Sequence, residues 1–178
     1  RWKFLIDDER RYRQPAEITS WPLSIEVPFP PEATASGIGD TGYHYACWYE
    51  REIEIAPEGQ QVILHFGAVD YSASVWVNGR LVASHEGGHT PFSADITHAL
   101  NTQGTHTITV LAVDDPSDLT QPRGKQDWQL DAHSIWYPRT TGIWQTVWLE
   151  RVGRTYVSTL RWTPSVENFA LRLEAVVE

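Results

Sequence analysis

Cysteine, clustered basic residues and long apolar segments are all scarce in this chain of 178 residues. The single cysteine, Cys47, cannot form an intrachain disulfide, so the fold cannot depend on one. The formal net charge is −9 and no run of Lys or Arg occurs, which argues against binding to nucleic acid through phosphate neutralisation. No stretch approaches the roughly 18 consecutive apolar residues of a membrane-spanning helix, so no membrane span is expected.

The N-terminal segment, RWKFLIDDERRYRQP, lacks both an apolar region and a small-residue cleavage site, so we do not interpret it as a signal peptide. Cys47 lies in an aromatic strand pattern and is expected to be a buried small hydrophobe, which fits a reducing compartment. Together these features slightly favour the cytoplasm, although a removed targeting segment leaves the compartment open. A start at Arg1 rather than Met suggests a chain that has been processed or cut from something longer.

Strand patterns dominate the middle of the chain. Residues 47–55, 60–66 and 105–113 alternate apolar and polar side chains or are rich in β-formers, and Asn78-Gly79 within 74–84 predicts a tight hairpin. Only 95–100, DITHAL, is compatible with a turn or two of helix. Short strands with Gly, Pro and Asn between them predict an all-β sandwich, and periodicity alone does not choose between a jelly roll and another Greek-key arrangement.

The segment PRTTGIWQTVWLE, residues 138–150, predicts a turn followed by a strand that is apolar on both faces. Trp144 and Trp148 lie on the face opposite to Ile143, so a further element is expected to cover them. Two more strand patterns follow, at 151–164 and 168–178. Because two strands alone are marginally stable, these either join the sandwich or begin a second domain.

Neither of two motifs that resemble active-site patterns has the surroundings that such a site requires, and no covalent nucleophile is indicated. HEGGH, residues 85–89, matches the zinc-peptidase pattern, but two adjacent glycines cost a helix about 2 kcal/mol relative to alanine, so a turn between strands is expected. The glycines of SGIGDTG precede no Lys-Ser/Thr and no βαβ unit, which argues against a phosphate loop. No serine or cysteine shows the context of a covalent nucleophile. The sequence therefore predicts neither a metal site nor a cofactor.

The polar loop from Asp114 to His133 is the strongest candidate for a binding region. It concentrates aspartates, which are usually solvated in such loops, beside the segment PRGKQDW with Arg123, Lys125 and Gln126. Planar hydrogen-bonding groups beside an aromatic ring suit a sugar, which presents C–H patches and hydroxyls. Long loops within a compact domain are usually functional or disordered.

Six segments occur in the order found in family 2 glycoside hydrolases. They are SIEVPFPPEATASGIG, CWYEREIEI, LHFGAVDYSASVWVNGRLV, HEGGHTPFSADIT, PRGKQDW and YPRTTGIWQTVWLE. The chain from about Trp2 to Arg151 resembles the N-terminal sugar-binding domain of the β-galactosidase, β-glucuronidase and β-mannosidase group. The resemblance implies a galactose-binding-like jelly roll over 1–152, followed at 153–178 by the first strands of an immunoglobulin-like domain.

The resemblance also implies that both catalytic glutamates lie on a TIM barrel outside this chain, so no residue here is expected to be catalytic. Asp127 is the nearest positional match to a sugar-proximal aspartate of some relatives, although an insertion separates it from Gly142. Arg139 matches an arginine three residues before that glycine, and it could equally fix the turn. With Lys125 and Gln126, these residues form the set predicted to lie near substrate.

The expected function is therefore a non-catalytic domain of a β-glycosidase that acts on β-galactosides or related sugars. It would support the barrel and shape one wall of the substrate pocket, with a β-glycoside and the missing domains as partners. A homo-oligomer of the full-length enzyme is left open. The alternative is a free-standing carbohydrate-binding module with an exposed aromatic platform, and a structural sandwich without sugar is the third interpretation.

Overall fold

The computed structural model describes residues 1–101 and 104–178. Within them the regular elements are strands and three single turns of 3₁₀ helix, at Pro15–Glu17, Thr34–Ser36 and Thr97–Ala99. None of these helical turns has the length or hydropathy that crossing a membrane requires. The strands are β1 (Trp2–Ile6), β2 (Leu23–Ile25), β3 (Ala46–Glu54), β4 (Gln61–Phe66), β5 (Val69–Asp70), β6 (Ser72–Val77), β7 (Arg80–Glu86), β8 (Phe92–Asp95), β9 (Thr105–Val113), β10 (Gly142–Ile143), β11 (Val147–Val152), β12 (Val157–Ser165) and β13 (Ala170–Val177).

Two antiparallel sheets pack face to face. One has the strand order β2-β1-β3-β9-β6-β7, and the other consists of β11-β4-β8 with the short pair β10-β5 beside it. Alternation places Tyr49 of β3, Leu64 of β4 and Val110 of β9 in the shared core, where each is almost completely buried. The expected all-β jelly-roll sandwich is thus confirmed, and the strands predicted at 47–55, 60–66 and 105–113 are each present within one residue.

The outer face of the six-stranded sheet is partly covered by the N-terminal segment. Trp48 and Trp76 stack there with ring centroids 5.5 Å apart, and Tyr12, Ile18 and Trp21 pack against this cluster. This cover explains why the first four residues of β3 are buried on both faces of the sheet. Towards the C-terminal end of β3 the more exposed side chains include charged ones.

The tight turns lie where the sequence predicts them. Asn78 and Gly79 have φ angles of 51° and 77° and join β6 to β7, as a two-residue hairpin of the primed type requires. The turn predicted at 95–100 is the 3₁₀ turn Thr97–Ala99. HEGGH is the end of β7 followed by a turn at 88–89, so its histidines do not share a helix face.

The prediction of a single strand after Gly142 is wrong, because the strand is interrupted between β10 and β11. β10 pairs with β5 and β11 pairs with β4, so the break coincides with the bend between those partners. At this bend Gly67 lies so close to Gln145 that an added Cβ would be 2.7 Å from its Cβ atom. Because both chains bend at the same place, β10 stays paired with β5 and β11 stays paired with β4. Trp144 lies in the bend and belongs to neither strand.

The two tryptophans after the turn have different surroundings. The indole N–H of Trp144 donates to the carbonyl of Gly88 at 2.7 Å, and the half-buried ring lies edge-on to His89. Trp148 is 44% exposed and stacks on His65 of β4, with ring centroids 4.7 Å apart. The cover expected for Trp144 therefore comes from this chain itself, and only Trp148 remains open on the outer face of the smaller sheet.

The last two strands form a separate hairpin. Within residues 1–101 and 104–178, β12 and β13 form a two-stranded sheet that pairs with no other strand, and almost every residue in them is exposed. Cross-strand pairing places Trp162 opposite Leu173 and Leu160 opposite Ala175, while Arg161 lies opposite Glu174 on the other face. The hairpin thus has one apolar and one charged face, as an antiparallel sheet with one covered side has.

Candidate functional site

The candidate site forms where the polar loop meets the ends of β5 and β9. Asp70 is the last residue of β5 and pairs with Gly142, while Asp114 immediately follows β9. The chain from Pro116 to Thr141 folds over these two carboxylates, so residues far apart in the sequence lie side by side.

Arg139 and Asp114 form a buried ion pair. The Nη2 atom of Arg139 donates to Oδ2 of Asp114 at 2.9 Å, and Thr141 donates its hydroxyl to the same oxygen at 3.3 Å. The Arg139 guanidinium also lies over the Tyr43 ring, 5.4 Å from its centroid. Burial raises the pKa of Asp114 to about 6, against the opposing charge of Arg139. Arg139 is only 7% exposed, so its observed contacts fix the turn.

Gln126 bridges the loop to β5. Its side-chain amide donates to Oδ2 of Asp70 at 2.6 Å, and its carbonyl oxygen accepts from the backbone N–H of Thr140 at 2.6 Å. Burial raises the pKa of Asp70, which the Gln126 hydrogen bond partly offsets. On its other side Asp70 is packed against Gly88, where an added Cβ would overlap the carboxylate. The absence of a side chain at Gly88 is therefore what permits this close approach.

Asp127 makes its hydrogen bonds within its own loop. The carboxylate accepts hydrogen bonds from the backbone N–H of Gln129 at 3.0 Å and from both the backbone and the ring of His133 at 2.6 Å each. Burial raises the pKa of Asp127, but these hydrogen bonds outweigh that effect and the pKa is lowered overall. The side chain has no exposed surface. Asp127 thus caps the loop, and its predicted proximity to substrate remains a prediction.

A cleft of about 210 Å³ opens beside this network. Lys125 and Gln126, two of the four residues predicted to lie near substrate, line it, whereas Asp127 and Arg139 do not. Its other lining residues are Asp70, His89, Arg123, Tyr137, Pro138, Thr140 and Trp144. The cleft thus combines two aromatic rings with charged and amide groups, a composition suited to a sugar ring.

Sequence reasoning missed several of these lining residues. Asp70 and His89 lie in two of the segments that carry the family resemblance, but neither was singled out: Asp70 belongs to a strand pattern, and His89 belongs to HEGGH, which we interpreted as a turn between strands. Trp144 was expected to lie under a further domain or sheet rather than in a cleft. No local pattern could have found them, because they come together only through the pairing of Gly142 with Asp70 in the folded chain.

The fold and this cleft together define an antiparallel β-sandwich domain of the carbohydrate-binding jelly-roll class. The chain belongs to the family described as "Glycosyl hydrolases family 2, sugar binding domain", whose model matches residues 8–152. The family resemblance inferred from the sequence is thus confirmed over most of the chain.

The relatives that the chain resembles are named for two different activities. The chain is 30% identical over 117 residues to a β-galactosidase of Thermoanaerobacter pseudethanolicus, covering 65% of this chain and 15% of that protein. It is 37% identical over 116 residues to the β-glucuronidase of Canis lupus familiaris, covering 53% and 17%. The chain therefore spans less than a fifth of the length of these two relatives.

Solved structures agree with the fold. The β-glucuronidase of Faecalibacterium prausnitzii superposes with a TM-score of 0.69 at 25% identity, over 98% of this chain and 34% of that one. The β-glucuronidase of Bifidobacterium dentium, solved with coumarin-3-O-glucuronide, gives 0.68 at 26% identity, over 92% and 31%.

Proposed function

We propose that this chain is the non-catalytic N-terminal sandwich of a β-glycosidase whose catalytic barrel lies outside the 178 residues. The observation that carries the proposal is the family match over 8–152 in a chain that spans only 15% to 17% of the two relatives named above. Within the complete polypeptide the sandwich would support the barrel, and the cleft beside Gln126 would form part of the wall of the substrate pocket. The acid/base and nucleophile would come from the barrel.

The proposed boundary between domains lies at 152–153. The hairpin of β12 and β13 has an apolar face on which Leu160, Trp162 and Leu173 are each about half exposed. A hairpin of this kind needs a further layer to cover it. We propose that residues 153–178 begin an immunoglobulin-like domain, whose remaining strands would provide that layer.

The proposed substrate is a β-linked hexopyranoside. A β-galactoside is the substrate expected from the sequence, and the name of the relative from Thermoanaerobacter supports it. A β-glucuronide is the second candidate, because mammalian and bacterial relatives are named β-glucuronidases. Galactosides and glucuronides differ in the configuration of the C4 hydroxyl and at C6, which is a hydroxymethyl carbon in the first and a carboxylate carbon in the second.

The test is to compare the complete polypeptide with the 178-residue chain on aryl β-galactosides and aryl β-glucuronides. We expect the complete polypeptide to hydrolyse one of them and the chain alone to release no product, since the two carboxylates that glycoside cleavage needs lie on the barrel. Steady hydrolysis by the purified chain would overturn the proposal, as would an inactive complete polypeptide.

One observation favours the alternative of a free-standing carbohydrate-binding module. Trp148 is exposed on the outer face of the smaller sheet and stacks on His65, whose ring nitrogen lies 3.1 Å from the Glu150 carboxylate. An aromatic platform bordered by a carboxylate is a surface on which a sugar can stack. A module of this kind would bind sugar without any further domain.

A further inference from the structure

The turn between β6 and β7 contains the one asparagine in the chain that precedes a glycine. Asn78 is followed by Gly79, whereas Asn101 and Asn168, the other two asparagines, are followed by Thr and Phe. In an Asn-Gly pair the backbone nitrogen of the glycine can attack the side-chain amide carbon, because glycine has no side chain to obstruct that approach. Asn78 and Gly79 are both exposed, so water reaches the turn. The turn therefore has a chemistry of its own, beyond its part in the hairpin.

The side chain of Asn78 makes three hydrogen bonds to residues outside this hairpin. Its Nδ2 atom donates to the carbonyl oxygen of Ala99 at 2.9 Å and to Nδ1 of His106 at 3.0 Å. Its Oδ1 atom accepts from the backbone N–H of Thr107 at 3.0 Å. Because a carbonyl accepts and an N–H donates, these partners fix the orientation of the amide. Attack on the amide carbon expels Nδ2, so the two bonds that Nδ2 donates must break first.

The histidine in this network is buried. His106 has no exposed surface, and its Nε2 atom lies 3.0 Å from the carbonyl oxygen of Ile55. Because that carbonyl accepts, Nε2 carries the proton of the neutral ring, and Nδ1 is the acceptor for Asn78. Asn78 thus supplies a donor to a ring nitrogen that water does not reach.

Deamidation of Asn78 would replace this donor by an acceptor. The backbone nitrogen of Gly79 forms a bond to Cγ of Asn78, the Cγ–Nδ2 bond breaks, and the proton of the glycine N–H leaves with Nδ2 as ammonia. Water then opens the cyclic imide at one of its carbonyl carbons and yields aspartate or isoaspartate, without any oxidant or reductant. The aspartate carboxylate faces the Ala99 carbonyl and the His106 Nδ1 atom, which are both acceptors. Isoaspartate adds a methylene to the main chain of a two-residue turn, whose geometry sets the strand register.

We propose that Asn78 is a site of spontaneous deamidation that the folded hairpin protects. In the native state the hydrogen bonds to Ala99, His106 and Thr107 keep the amide from reacting with Gly79. The reaction begins when the turn between β6 and β7 detaches from β9. A chain that has reacted does not regain these bonds, so the modification records past openings of the turn and weakens the hairpin. The proposal concerns this domain alone and does not depend on the proposed function.

The experiment compares deamidation of the 178-residue chain in mildly alkaline buffer with and without enough guanidinium chloride to unfold it. Trypsin releases residues 52–80 as one peptide in which Asn78 is the only asparagine, so mass spectrometry with fragmentation reports the conversion at this position. We expect the unfolded chain to react at least about tenfold faster, because an opening free energy of about 1.4 kcal/mol corresponds to a factor of ten. Equal rates in the two solutions would overturn the proposal, and so would an unfolded chain that is not converted.

Two variants show whether the hydrogen bonds provide the protection. His106→Phe keeps a ring at this position and removes an acceptor of the Asn78 amide, so the folded chain should deamidate about threefold to tenfold faster, as the loss of one hydrogen bond predicts. Gly142→Ala is the control for a general loss of stability, since Gly142 pairs with Asp70 before the start of β6, and it should leave the rate unchanged. Equal rates for these two variants would contradict the protection by His106. If His106→Phe does not fold, the comparison of the folded and unfolded wild type still decides.

Asn78→Asp reproduces the aspartate product directly. It should raise the equilibrium constant for unfolding roughly tenfold to hundredfold, because carboxylate oxygens then face two acceptors that Asn78 had satisfied. Asn168→Asp makes the same atomic change between β12 and β13, where Nδ2 of Asn168 donates to Ser165 at 3.2 Å in an exposed loop, and it should leave this constant unchanged. Unfolding titrations of the two variants measure the difference. Equal effects would show that the modification at Asn78 does not weaken the hairpin.

Discussion

At Gly142 the turn before β10 approaches Tyr49 of the opposite sheet. The glycine has φ of 75°, its position leaves no room for a Cβ beside the tyrosine hydroxyl, and that hydroxyl accepts the N–H of Ile143 at 3.3 Å. A side chain here would both strain the backbone and displace a buried ring. The positive φ explains why glycine is favoured, and the contact with Tyr49 explains why a larger residue is not tolerated.

We predict that Gly142→Ala lowers the free energy of unfolding by roughly 2–5 kcal/mol, the sum of left-handed strain and overpacking. Gly79→Ala is the matched control, because Gly79 has φ of 77° with no atom within 4 Å of an added Cβ. Its cost should be only the strain, about 1–2 kcal/mol. Urea unfolding of both variants measures the difference, and equal losses would show that Tyr49 does not restrict this position.

Asp114 should impose a pH dependence on stability. Its pKa is raised from 3.8 to about 6 in the folded protein, so the folded state binds this proton more tightly than the unfolded state. Stability from this group is therefore fully present below about pH 4 and is lost as the pH rises through about 6, by roughly 3 kcal/mol. We predict that Asp114→Asn removes this fall.

The measurement is urea unfolding of the wild type and Asp114→Asn between pH 4 and 7, a range set by the two pKa values. Asp131→Asn, which changes an exposed carboxylate of the same loop, is the control and should follow the wild type. If the wild type and Asp114→Asn kept parallel curves over this range, the raised pKa would be wrong.

From the sequence, only those residues of the candidate site could be predicted whose chemical type and neighbours suggest sugar binding. Lys125 and Gln126 were identified because a polar loop with an aromatic neighbour suggests a sugar, and they line the cleft. Asp127 and Arg139 were included by position, and the structure shows both side chains turned inward to His133 and Asp114. Spacing along the chain does not reveal which partner satisfies a charge, because such partners lie up to 25 residues away.

At the level of elements, alternation predicted the long strands and failed where two strands bend together. Residues 47–55 and 105–113 alternate over a full strand, so their inward faces follow from sequence alone. The interruption at Trp144 arises from contact between Gly67 and Gln145, 78 residues apart, which has no local pattern. The C-terminal hairpin was predicted as two strands, and its one-sided apolar character follows from the cross-strand register.

Removal of residues 154–178 should leave the sandwich intact. Among the strands that the structure describes, those of the hairpin pair with each other alone, and they are exposed along almost their whole length, so they contribute little buried area to the core. We predict that a chain ending at Gly153 unfolds with a free energy within about 0.5 kcal/mol of the full chain, as expected for changes to exposed residues.

Urea unfolding monitored by circular dichroism tests this expectation, with the 178-residue chain as reference. A loss of several kcal/mol on truncation would place the hairpin within the folding unit of the sandwich, and the proposed boundary at 152–153 would be wrong. A preserved transition would support residues 1–152 as an independent domain.

At the level of the whole molecule, the sandwich has two surfaces that a longer polypeptide could use. One is the cleft beside Gln126, and the other is the apolar face of the hairpin with Trp162 and Leu173. Under the proposed function the first would face the catalytic barrel and the second would be covered by the remaining strands of the next domain. A free-standing module would use the exposed ring of Trp148 instead.

The most direct test of this account is the mass of the native protein in its source cell, detected with an antibody against the sandwich. We predict a polypeptide several-fold heavier than 20.3 kDa, because relatives that share this domain are about six times as long as the part they share with it. A native species near 20.3 kDa would contradict the account and identify the chain as a free-standing carbohydrate-binding module.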